Sequence, residues 1–155
     1  MTLRNLEVMT MNRVGDEKLD VRTLCLPVAA GKNIKEATMV AIGQDGYAVT
    51  ATKATGLTVA GMAIAPADNS AGAAGDLTVT VRRGAFVVDN SATAANVAKK
   101  TDILKICYIE DEVTVSMLST GSSVAGTVLA VDDDGVTIEF NQPSEPASTG
   151  SGDNK

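Results

Sequence analysis

The groups that could do chemistry are few, and the first observation is an absence. The chain has 155 residues and no His. Without an imidazole, a Ser-His-Asp triad, a Cys-His dyad, a His metal site and a His general base are all excluded. Cys25 and Cys107 are the only cysteines, and both are flanked by apolar residues, Leu24 and Leu26 in one case and Ile106 and Tyr108 in the other. That setting predicts small buried hydrophobes rather than a disulfide or a reactive thiol. Four clusters remain. Gly121-Ser-Ser-Val-Ala-Gly126 has the glycine spacing of a phosphate loop but continues Thr127-Val128, without the Lys that would reach the phosphates, so it reads as a mobile turn between strands. Asp132-Asp133-Asp134-Gly135 offers clustered carboxylates to a hard cation. It runs straight into Val136, Ile138 and Phe140 instead of further oxygen ligands, which favours a hairpin turn with no metal. Glu110-Asp111-Glu112 could supply paired carboxylates for glycoside chemistry, but three acids in a row between two strands are better read as a solvated turn. Arg82-Arg83, before Gly84, could meet an anion or an acidic patch on a partner.

The elements that must position these groups are short strands and turns. Met39 to Ile42 and Tyr47 to Thr50 flank Gly43-Gln44-Asp45-Gly46, a hairpin signature. Leu57 to Ile64 reads as a strand that contains Gly61 and is closed by Pro66, which has no ladder donor. DNSAGAAGD (68–76) has the composition of a surface loop. From Leu77 the apolar Leu77, Val79 and Val81 alternate with Thr78, Thr80 and Arg82, the pattern of a half-buried strand. Gly84 then suggests a bend before Ala85-Phe86-Val87-Val88. TAANVAKK (93–100), with Thr93 as N-cap, predicts the one short helix, of about two turns. Strands follow at 103–109, 113–117, 124–131 and 136–140, for a total of about eight or nine.

Three segments result. Residues 1–20 form an N-terminal arm that mixes charges with Leu3, Leu6, Val8, Met9, Met11 and Val14; three of the six Met lie in its first eleven residues, where flexible thioethers suit an adaptable contact surface. Leu3, Leu6, Val8, Met9 and Met11 are the candidate partner-binding residues, with Arg82 and Arg83 as a second candidate contact. Residues 21–140 form a single β domain, and 155 residues are enough for one core of this size. Residues 141–155 have Ala147 as their single apolar residue and predict a disordered polar tail.

The net charge of −6 and the pI of about 4.6 argue against nucleic acid as a partner. No run of 18 apolar residues exists, and charges interrupt the first twenty residues, so neither a membrane span nor a signal peptide is expected. Aromatic residues make up 3% of the chain, too few to line a typical small-molecule pocket, and no cofactor is expected.

LTVTVRRGAFVVDN (77–90), followed by DILKICYIEDEVTVSMLSTGSSVAGTVLAVDDDGVTIEF (102–140), resembles the second half of the head decoration, or capsid cement, proteins of tailed bacteriophages. The shared order is a strand ending Arg-Arg-Gly, a tyrosine strand, an acidic turn with Thr-Val, an Ala-Gly pair and a closing Asp-Asp-Gly-Val hairpin. The first half, 30–76, is similar to the same family in Ile-Lys-x-x-Thr-Met-Val and in the later Val-Ala-Gly, so the likeness spans residues 22 to 140. Two positions depart from the pattern: Leu104 stands before Lys105 where the family has Gly-Lys, and Ala37 precedes Thr38-Met39-Val40 where the family often has Gly. The resemblance implies a compact β-barrel or β-tulip-like body and an arm lying on neighbouring subunits. It also implies binding to the phage major capsid protein and to copies of itself, as a homo-oligomer such as a trimer. Its location would be the capsid surface of the virion, reached from the host cytoplasm during assembly. The competing readings are another virion component (minor capsid, head-fibre or tail-tube protein), a glycan-acting enzyme using the acidic turns, and a ligand-binding barrel.

Overall fold

A computed structural model describes residues 22–140. The arm (1–20) and the tail (141–155) lie outside the described residues. The first half of the body contributes β1 (Thr23–Pro27), β2 (Asn33–Ile34), β3 (Met39–Ile42), β4 (Ala48–Thr50), β5 (Thr58–Ala63), β6 (Ala67–Asp68) and β7 (Thr78–Arg82). The second half contributes β8 (Ala85–Asn90), a single 3-10 turn (Lys100–Asp102), β9 (Ile106–Asp111), β10 (Thr114–Ser116), β11 (Val124–Asp132) and β12 (Gly135–Glu139). The protein is mostly β, as its punctuated apolar runs predict.

Five strands of the first half form an antiparallel sheet in the order β1-β7-β5-β3-β4, while β2 and β6 pair separately. The hairpin over Gly43–Gly46 is present: Val40 faces Thr50 and Ile42 faces Ala48, and Gly43 and Tyr47 share a backbone hydrogen bond of 3.0 Å. The sheet curls until its first and last strands approach, where Val28 bridges Ala48 in the parallel sense and the Ala29 N–H donates to the Ala48 carbonyl at 2.9 Å. One face encloses a core of small residues: Val28, Ile34, Val40, Ala48, Ala60, Ala63, Ala67, Val79 and Val81. At β5 the register slips opposite Val40 and Ala41, and a Cβ on Gly61 would stand 2.5 Å from the Arg82 carbonyl oxygen, so only glycine lets β5 and β7 come this close.

The chain leaves this sheet at Arg83-Gly84 and enters the second half. There β10-β8-β12-β11-β9 close into a five-stranded barrel, with β10 parallel to β8 and every other neighbour antiparallel. Val88, Cys107, Ile109, Val115, Ala125, Val128, Val136, Ile138 and Phe140 belong to one buried cluster, and Met39, Ala41, Ala51, Val59 and Met62 of the first half join it. Burying a side chain of the Val, Ile or Phe class is worth about 1.5–3 kcal/mol, so this shared core holds the halves together. The Asp132–Gly135 turn is the tight hairpin the sequence predicts: Asp132 pairs with Gly135, and the Asp134 N–H donates to Asp132 Oδ1 at 2.8 Å.

Two expectations are corrected. Residues 93–100 do not form a two-turn helix. A single turn closes where the Asn96 N–H meets the Thr93 carbonyl at 2.9 Å, and the helical residues are Lys100–Asp102. The Asn90 side chain takes both the N–H and the carbonyl of Ala98, each at 2.9 Å, and this diverts the N–H that a helix through 93–100 would direct to the Ala94 carbonyl. Cys25 is exposed, not buried. It lies on edge strand β1 between Leu24 and Leu26, whose side chains pack on the first-half core, and strand alternation turns Cys25 to the opposite face.

Candidate docking surfaces

Each cluster that could do chemistry has a position in this scaffold. Arg83 lies at the junction of the two halves. Its guanidinium donates to the Ala60 carbonyl of β5 at 3.0 Å and to the Phe140 carbonyl just past β12, so its charge is spent on tying the sheet to the barrel. Arg82 is exposed at the end of β7, paired in register with Thr23 and Met62. The two arginines thus diverge, one turned inward as a clamp and one toward solvent. Leu3, Leu6, Val8, Met9 and Met11 lie outside the described residues.

Of Gly121–Gly126, residues 121–123 end the turn between β10 and β11, which side chains fasten, and Val124–Gly126 open β11. The Ser123 hydroxyl donates to the Ala54 carbonyl at 2.6 Å and accepts the Leu57 N–H at 3.1 Å, while Ser122 donates to the Ile109 carbonyl. Lys53 Nζ reaches the Thr120 carbonyl at 2.8 Å. The turn expected to be mobile therefore links the barrel to the first half. Residues 68–76 also have an internal organiser. Asn69 is 2% exposed, and its amide donates to the carbonyls of Val28 (3.3 Å), Ala29 (3.1 Å) and Ala73 (2.9 Å). Beside it, the hydroxyl and N–H of Ser70 hold the Asp68 carboxyl below its ordinary value. Nothing in the sequence marks Asn69 as different from its polar neighbours.

Cys107 on β9 is buried with its thiol 3.5 Å from the Gly126 carbonyl, and burial pushes its pKa up to about 12. It is a core hydrophobe without thiolate character. No three His, Cys, Asp or Glu side chains gather as a metal would require among the described residues. No helix among them is long and apolar enough to cross a membrane.

Sequence reasoning missed four of the exposed large apolar residues, all in the second half. Ile103 is 40% and Leu104 74% exposed in the loop entering β9, Val113 is 37% exposed in the turn leaving it, and Val87 on β8 is 57% exposed. Leu104 and Ala37 are also the two non-glycine residues of positive φ among the described residues, at 71° and 64°. Such a conformation costs an L-residue other than glycine roughly 1–2 kcal/mol. Only Leu104 carried a signal in the sequence, as a departure from the Gly-Lys of the resembled pattern; Ile103, Val113 and Val87 carried none.

No family model, curated protein or solved structure matches the chain.

Proposed function

We propose that this protein is a structural component of a tailed-phage virion that binds the outer surface of the capsid and stabilises it, as a decoration or cement protein. In this reading it turns over no substrate. Its partners are the major capsid protein and further copies of itself. The observation that carries the proposal is the backbone at positions 37 and 104. The resemblance to the decoration family expects glycine at these two places, and here they hold Ala37 and Leu104 in left-handed conformations. A backbone bend that the family provides for with glycine is kept in this chain despite a side chain that opposes it. The coincidence concerns two positions far apart in the sequence and on different halves of the body.

The chemistry of the chain supports the same reading. It has no imidazole, the Asp132–Gly135 cluster is occupied with its own turn, and Ser123 of the Gly121–Gly126 segment is engaged with Ala54 and Leu57 of the first half. Capsid shells lacking the protein, mixed with the purified full-length chain and imaged by cryo-electron microscopy, provide the test. Added density at symmetry-related positions, with shells that resist heat better than bare ones, is the expected result. Shells that stay bare at saturating protein would overturn the proposal. Density confined to a vertex or to the tail would instead make it a minor virion component.

A further inference from the structure

We infer that the 99–105 loop of one copy docks onto the 110–113 turn of a second copy, in a repeating head-to-tail contact. The inference rests on the self-association named in the proposed function and supplies its surfaces.

The loop Lys99-Lys100-Thr101-Asp102-Ile103-Leu104-Lys105 is a basic patch on an acidic protein, with three Lys against one Asp. Its three lysines are exposed, and the Asp102 carboxylate is engaged by the Lys99 N–H at 2.8 Å. Ile103 and Leu104 project between those charges. The loop is rigid: Asp102, Ile103 and Lys105 donate their N–H groups back within it, and Leu104 and Lys105 exchange hydrogen bonds of 2.7 and 2.9 Å with Val128 of β11. This network holds Leu104 at positive φ with 74% of its surface in solvent. Strain and exposure of a leucine both oppose the isolated chain, and a partner that covers the side chain offsets them.

The 110–113 turn is the complement. Glu110, Asp111 and Glu112 carry three negative charges around the half-exposed Val113. It is preorganised as well, since Asp111 Oδ1 accepts the Val113 N–H at 2.9 Å and the Glu112 carbonyl accepts the Met39 N–H at 2.7 Å. Two ordered surfaces lose little entropy on meeting. The loop and the turn stand at opposite ends of β9, Ile106–Asp111. Four strand residues, 106–109, lie between them, which sets Lys105 and Glu110 about 17 Å apart along β9, so a copy cannot satisfy its own pair. Identical chains that present complementary patches on opposite sides form rings when the rotation closes.

Sedimentation of the full-length protein over a concentration series, at low and high salt, tests this. Wild type should assemble, and salt should weaken assembly. Leu104→Gly should weaken the dissociation constant roughly tenfold or more. Its thermal midpoint should rise, because glycine accepts the φ that leucine resists. Two charge reversals, Lys100→Glu with Lys105→Glu and Glu110→Lys with Glu112→Lys, should each be folded and monomeric alone and should assemble when mixed. Wild type that stays monomeric throughout would overturn both this contact and the self-association it rests on. Wild-type assembly that survives in Leu104→Gly and in both reversals, or folded reversals that do not combine, would leave self-association standing and overturn this face as its site.

Discussion

The two halves of the body meet the problem of sheet edges in different ways. In the second half, five strands drawn from residues 85–139 close on themselves, so backbone pairing alone leaves the barrel without an edge. In the first half the sheet closes through one bridge, Val28 to Ala48, and side chains complete the seal: Asn69 binds the carbonyls that follow β1, and Arg83 clamps β5 to the end of the barrel. The cores differ in proportion. Alanine is four of the nine residues of the first-half core but four of the fifteen of the shared core, which also holds Phe140, Ile138 and Ile109. The barrel thus depends on backbone pairing for its closure, whereas the first half depends on Asn69 and Arg83 as well.

The largest expected effect follows from the barrel's dependence on backbone. Gly135 has φ 135°, and a Cβ there would sit on the Val88 carbonyl oxygen of the neighbouring strand. Gly135→Val should therefore destabilise the protein by about 3 kcal/mol or more, as overpacking against an immovable backbone does. Chemical denaturation measures it. A loss similar to that of an exposed strand substitution would mean that the barrel closes less tightly than the contrast requires.

The matching change in the first half is Asn69→Ala, which leaves the Val28, Ala29 and Ala73 carbonyls without their shared donor. Each carbonyl keeps a backbone donor, from Gly75, Lys32 and Asp76 respectively, so the expected loss is about 1–2 kcal/mol, that of the lost side-chain hydrogen bonds. Hydrogen exchange should place it: amides near β1 and β4 should lose protection before those of β11 and β12. Uniform loss would show that the halves unfold as one unit and would remove the distinction drawn above.

The cysteines report on the same contrast. Cys25, on the edge strand β1, should react with a thiol reagent at neutral pH in the native protein, while Cys107 in the barrel should not. The Cys107 pKa of about 12 lies above the ordinary thiol value of about 8.5. Between those limits the unfolded chain gives up the proton and the folded chain keeps it, so the unfolded state binds fewer protons and stability falls as pH rises. The slope should approach about 1.4 kcal/mol per pH unit and return to that of the other titrating groups in Cys107→Ala. An identical alkaline slope in that variant would show that the thiol is not held protonated.

Much of this contrast was legible in the sequence where neighbouring residues decide the structure. The Gly43–Gly46 and Asp132–Gly135 hairpins, the alternation through Val79 and Val81 and the stop at Pro66 are set by local backbone chemistry. Elements decided by distant partners were not legible. The Ala- and Lys-rich 93–100 segment has helix propensity but is too short to nucleate, and Asn90 outcompetes it for Ala98. Asn69 is buried because three carbonyls converge on it, and Arg83 turns inward because Phe140 ends beside Ala60, neither of which composition reveals. Cys25 is the exception: the alternation of Leu24 and Leu26 already turned it outward, and its apolar neighbours outweighed the period of two. Among the candidate site residues, Arg82 and Arg83 could be identified as a pair but not separated into an exposed residue and an internal clamp.

The smallest expected effect sharpens the comparison at a single residue of the first half. Ala37 has φ 64° and is exposed, with its N–H on the Ala63 carbonyl at 2.8 Å and Thr38 following as a buried residue whose hydroxyl donates to the Lys35 carbonyl at 2.7 Å. These bonds fix the bend that leads into β3, so the chain keeps it whatever side chain stands there. Ala37→Gly removes a left-handed penalty of roughly 1–2 kcal/mol. It also gives the unfolded chain extra freedom worth about 0.4–1 kcal/mol. The difference should be a gain of about 0.5 kcal/mol, seen as a small rise in the thermal midpoint. Ala37→Val should lower the midpoint by more than that, since a β-branched residue resists positive φ more strongly than alanine. The opposite order, with valine tolerated and glycine harmful, would mean that residue 37 is extended, and the parallel with Leu104 would fail with it.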